Sequence, residues 1–102
     1  MSRLDQLHTL LERTPTDPFL LYGIALEHKK AGDKQQSLEW LNKTIQTDPK
    51  YCYAYYQKGQ VHESTGDETA ARDAYLAGIR AAKEVGDAHA QGELQGALDM
   101  LG

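Results

Sequence analysis

A chain of 102 residues and 11.4 kDa, with 40% hydrophobic and 25% charged side chains, has room for one small domain and carries too much apolar content for a disordered tail. Val and Ile together number 5 while Ala and Leu number 25, which argues against an all-β fold. A formal net charge of −4 argues against a general binder of nucleic acid or of anionic membrane.

The elements follow in chain order. Leu4, Leu7 and Leu11 recur at i, i+3 and i+7, and Ser2 and Asp5 have capping-box spacing, so a first helix is predicted that closes at Pro15. Pro18 suits the first turn of a second helix over 18–31, which ends at Gly32, where a left-handed residue costs least. Asp33 then caps a third helix over 34–47, stopped by Asp48-Pro49. The cycle recurs as 50–65, Gly66, Asp67 and 68–84. Gly86-Asp87 is a third such pair, and behind it Ala90, Leu94, Ala97, Leu98 and Leu101 stripe a last helix. The expected fold is all-α, with six antiparallel helices.

Sliding the chain by 34 residues exposes a repeat. Leu4, Leu7 and Leu11 fall on Leu38, Leu41 and Ile45, and Pro15 falls on Pro49. Leu21 meets Tyr55, Ala25 meets Gly59, His28 meets His62, and Gly32-Asp33 meets Gly66-Asp67. Ser37, Leu41 and Ile45 land on Ala71, Tyr75 and Ile79. Small stays on small and bulky on bulky.

This pattern resembles the tetratricopeptide repeat. Leu21, Ile24, Ala25, His28, Ser37, Leu41, Thr44 and Pro49 carry the resemblance in one repeat, and Tyr55, Lys58, Gly59, His62, Ala71, Tyr75 and Gly78 in the next. Lys58 departs from an expected apolar residue, and Lys83 from the closing proline. The resemblance implies a short helical solenoid: a leading half-repeat helix over 1–15, repeats over 18–49 and 52–85, and a capping helix over 87–102.

The first helix of each repeat has two apolar or aromatic faces, and its partner helix covers one of them. Tyr or Cys at 51–53 and 55–56 exceeds what packing needs. The resemblance implies a concave peptide-binding surface on those first helices. It would be lined by Phe19, Tyr22, Leu26 and Lys29, then Tyr53, Tyr56, Gln60 and Glu63, with Leu94 and Ala97 as a far wall. The alternative is that neighbouring helices bury much of this face. A Lys and Asn clamp for a C-terminal carboxylate is missing, since Tyr22 with Leu26 and Tyr56 with Gln60 hold those places.

Enzyme chemistry has little footing. His89 with Glu93 and His8 with Glu12 sit at i, i+4, but neither makes a two-His zinc motif. His28 and His62 read as packed structural residues. No catalytic residue, metal site or cofactor is implied. The lone Cys52 allows no internal disulfide and reads as a partly buried inert thiol, which favours a reducing compartment. With no apolar leader and no run approaching membrane-spanning length, the expectation is a soluble cytoplasmic protein. The partner expected is a protein or peptide. The rival reading is a homodimer paired through Leu4, Leu7, Leu10 and Leu11 or through the last helix. Trp40 then either marks an interface or simply covers the convex face.

Overall fold

The computed structural model describes residues 1–101, and among them every regular element is an α-helix. In order these are α1 (Arg3–Arg13), α2 (Pro18–Lys30), α3 (Lys34–Thr47), α4 (Cys52–Ser64), α5 (Glu68–Val85) and α6 (Ala88–Met100). They fall into two compact units, divided between Asp48 and Pro49. No helix among the described residues is long and apolar enough to cross a membrane.

The Gly-Asp pairs set the helix ends in both units. Gly32, Gly66 and Gly86 all take positive φ, at 85°, 81° and 72°. That turn lets the following aspartate N–H reach back to a carbonyl of the helix just ended: Asp33 to His28 at 2.9 Å, Asp67 to His62 at 3.0 Å, Asp87 to Ala82 at 2.9 Å. The same aspartates then accept from the next helix, from Gln36 N at 3.1 Å, Ala70 N at 3.1 Å and Ala90 N at 3.0 Å. At the front, Ser2 and Asp5 form the capping box their spacing predicts.

In the first unit, α1 packs on α2 and α2 on α3. Leu7, Leu20 and Ile24 form a cluster against which Leu4, Leu11 and Trp40 pack. Small residues let α2 and α3 close in: the Ser37 hydroxyl, fully buried, donates to the Ala25 carbonyl at 2.9 Å. Trp40 is half-buried, with its ring edge-on to His8 at 5.3 Å and Lys43 Nζ 4.0 Å from its centroid. It therefore packs on α1 and does not stand out from α3 as an open indole. Leu4, Leu7 and Leu11 are likewise committed inward, leaving Leu10 as the exposed leucine of α1.

In the second unit, α4, α5 and α6 enclose Cys52, Ala71, Tyr75, Ile79, Ala81, Ala82, Ala90 and Leu94. A Cβ placed on Gly59 would overlap the Tyr75 ring, so the absence of a side chain there is what admits Tyr75 to the α4–α5 seam. At Gly78 the neighbours are Tyr55 of α4 and Leu94 of α6, 2.7 Å and 2.8 Å from where a Cβ would stand. Three helices meet at that point. Without a proline at 83, α5 runs on to Val85 before Gly86 ends it.

Candidate functional site

The aromatic side of α4 is built on Tyr75. Its side chain is fully buried, and its hydroxyl reaches the end of α4, where it donates to Glu63 Oε2 and accepts from Gln60 Nε2 at 3.5 Å. Burial first, and then the bond to Glu63, push the Tyr75 phenol well above its usual range. Tyr56 lies against the Tyr75 ring, centroids 6.2 Å apart, and Tyr53 meets Tyr56 edge-on at 6.4 Å and 68°. Tyr53 and Tyr56 are each half-buried, one side of each ring against the core cluster. Neither of their hydroxyls has a hydrogen-bond partner among the described residues.

These contacts sort the residues expected on this face. Tyr53 and Tyr56 stand on it as a pair. Gln60 and Glu63 stand beside them but are also bound to the Tyr75 hydroxyl, a role their spacing on α4 does not reveal. Leu94 is a correction: at 0% exposure it fills the space over Gly78 and is a core residue, not an open wall. Ala97 is half-buried against the same core. Tyr55 belongs to another side of α4, with its hydroxyl donating to the Pro49 carbonyl at 2.6 Å.

The matching face of α2 carries Phe19, Tyr22, Leu26 and Lys29. Phe19 is 63% exposed, while the other three are half-buried. Burial lowers the Lys29 ammonium from its usual range, as expected when a charge loses water.

Two features of the structure have no signal in the sequence. Glu93 and Asp87 lie near enough to Tyr53 to raise its phenol further, after the larger effect of burial. Glu93 also accepts from His89 Nε2 at 2.6 Å, the i, i+4 pair visible in the sequence. Separately, Tyr55, Lys58 and His62 of α4 line a cleft of about 250 Å³ with Ala70, Asp73, Ala74 and Ala77 of α5. Lys58 is half-buried there, and His62 is half-buried and not sealed in a core. Burial and then the Lys58 charge lower the His62 imidazole below its usual range. The Cys52 thiol is buried, and no group of three His, Cys, Asp or Glu among the described residues could hold a metal ion.

Paired helices with Gly-Asp turns, small residues at the seams and a tyrosine wedged against a glycine define a helix–turn–helix repeat protein. Residues 53–84 match the family model described as tetratricopeptide repeat. The chain is 34% identical to a tetratricopeptide repeat domain protein from Salinibacter ruber, whose crystal structure superposes with a TM-score of 0.78 over 83% of this chain and 94% of that one. The solution structure of a Bordetella parapertussis protein superposes with a TM-score of 0.84 at 25% identity, over 99% of this chain and 88% of that one. A TPR repeat-containing protein of Pseudomonas aeruginosa is 28% identical over 89% of this chain and 87% of its own length. The chain belongs to the tetratricopeptide repeat family, whose domains are in general protein–protein interaction modules and non-catalytic scaffolds.

Proposed function

We propose that this chain binds a peptide segment or a helix of a partner protein, with the aromatic face of α4 as its principal contact. The observation that carries the reading is the Tyr53–Tyr56 pair. Two rings held edge-on at 6.4 Å, each backed by the core and open on its other side, give large contact area with little side-chain entropy left to lose. Their unengaged hydroxyls are available to orient a bound backbone. Phe19, Tyr22, Leu26 and Lys29 give α2 a face of similar kind. The module acts by binding, and no chemistry is asked of these residues.

The test is affinity capture from a lysate of the source cell, read by mass spectrometry, with wild type and the Tyr53→Ala/Tyr56→Ala variant run side by side. Circular dichroism first checks that both are helical. A partner held by the wild type and lost by the variant supports the reading. Equal recovery by both would remove α4 as the contact.

Self-association is a second reading, resting on Leu10 of α1, which is 50% exposed. A dimer in sedimentation that dissociates in Leu10→Glu would favour it.

A further inference from the structure

The charges around the Tyr53–Tyr56 pair are one-sided. From Pro49 onward the sequence has eight acidic and five basic residues, and their placement matters more than their number. Helix α6 contains Glu93 and Asp99 but no Lys or Arg. The one basic residue of α4 besides His62 is Lys58, set about 140° around the helix from Tyr53, where it lines the cleft against α5. Lys50 precedes α4, and Arg72, Arg80 and Lys83 are all on α5.

Carboxylates, by contrast, stand at the aromatic face. Glu63 closes its far end and is exposed, with Oε2 on the Tyr75 hydroxyl. Glu93 projects from α6 with its side chain 41% exposed, and Asp87 caps the same helix. The field of Glu93 and Asp87 is felt at the Tyr53 phenol, which both raise. An acidic ligand would meet these carboxylates, with only the exposed His89 imidazole on Glu93 to offset them. A cation would meet two aromatic faces and several carboxylates at once, and a guanidinium suits both, since it stacks on rings and forks onto carboxylates.

We infer that the segment recognised on this face is basic, with Arg or Lys side chains lying over the Tyr53 and Tyr56 rings and their charge answered by Glu93, Asp87 and Glu63. This rests on the proposal that α4 is the contact, and it names the chemistry of the partner. Electrostatic complementarity of this kind fixes which partner docks and speeds its arrival.

A random peptide library displayed on phage, panned against the immobilised full chain, tests it. The same library is panned against Tyr53→Ala/Tyr56→Ala and against Glu93→Gln, each verified as helical. The expected result is a retained set rich in Arg and Lys over Asp and Glu and lost on the tyrosine variant. Its synthetic members should bind Glu93→Gln about fivefold more weakly by fluorescence anisotropy. A retained set that depends on the tyrosines but is neutral or acidic would overturn the inference and leave α4 as the contact. Basic peptides that bind Glu93→Gln as well as wild type would likewise overturn it. Peptides held equally by the tyrosine variant, or no retained peptides at all, would overturn the reading of α4 itself.

Discussion

Tyr75 donates its hydroxyl to the Glu63 carboxylate while its ring lies on Gly59, so one side chain fills the α4–α5 seam and ties down the last turn of α4. The two ends of that side chain do different work. The ring supplies buried apolar area, and the hydroxyl holds Glu63 and Gln60 beside the aromatic face where ligand is proposed to bind.

Tyr75→Phe separates these roles. It keeps the ring and removes the donor, so it should cost about 0.5–1.5 kcal/mol in urea unfolding at neutral pH. The stronger signature is at alkaline pH. The folded protein holds the Tyr75 proton above the ordinary 10.0, chiefly through burial, and Tyr53 shifts the same way. Above about pH 10 the unfolded chain therefore releases protons that the folded chain keeps, and stability falls as pH rises. Tyr75→Phe should flatten that fall. An alkaline slope unchanged by the substitution would show that other groups cause it.

Two glycines in helix interiors should respond to alanine with opposite signs. At Gly92 a new Cβ meets nothing within 4 Å, so Gly92→Ala gains helix propensity and should stabilise by about 1 kcal/mol. At Gly59 the same gain is set against a Cβ 2.6 Å from Tyr75 Cδ1. Overpacking of that kind costs about 1–3 kcal/mol, so Gly59→Ala should destabilise. The comparison is read as urea midpoints of the two variants against wild type. Equal shifts would mean that the Tyr75 ring moves aside without cost.

Helix existence and ends were legible because their signals are local. Gly32, Gly66 and Gly86 with the aspartates behind them mark turns whose geometry depends on neighbours in sequence, and the 34-residue period carries the family. Contacts between helices were less legible. Leu94 looks like a groove residue when α6 is laid in the register of α2 and α4, yet it closes over Gly78, a small position on the preceding helix, α5. Gln60 and Glu63 share a helix face with Tyr53 and Tyr56, and spacing alone gives no sign that a tyrosine on α5 reaches them. For Trp40 the sequence leaves open an interface or the convex face, because its ring partner, His8, is on another helix, α1.

His62 should make stability fall on mild acidification. Burial first, and then Lys58, lower its imidazole pKa in the folded state, with Asp67 opposing. Below the ordinary 6.5 the unfolded chain binds a proton that the folded chain resists, so stability is lost as pH falls through that region. Lys58→Met should move the imidazole back toward its ordinary value, and His62→Gln should make the acid slope shallower. Titration of the His62 ring protons by NMR checks the first, and urea midpoints across pH check the second. A normal His62 titration in wild type would sink both.

Trp40 is the one tryptophan of the chain, and its contacts with α1 make it a reporter of whether that helix is docked. Leu7 is the single buried residue of α1; it packs with Leu20 and Ile24, and its methyls lie 3.4 Å from where a Gly23 Cβ would stand. Leu7→Ala removes most of the apolar attachment of an eleven-residue helix, too short to be stable without it. Such truncations cost about 2–5 kcal/mol when the site does not collapse. The expected outcome is a red-shifted Trp40 emission in the native buffer, and a fluorescence midpoint in urea below the midpoint by far-ultraviolet circular dichroism. The Tyr75 side chain, in the second unit, offers the control: Tyr75→Phe should leave native Trp40 emission unshifted. Coincident midpoints in Leu7→Ala, with unshifted emission, would show that α1 stays docked without Leu7 and that Leu4, Leu11 and the Arg3–Glu27 pair at 3.9 Å are enough to hold it.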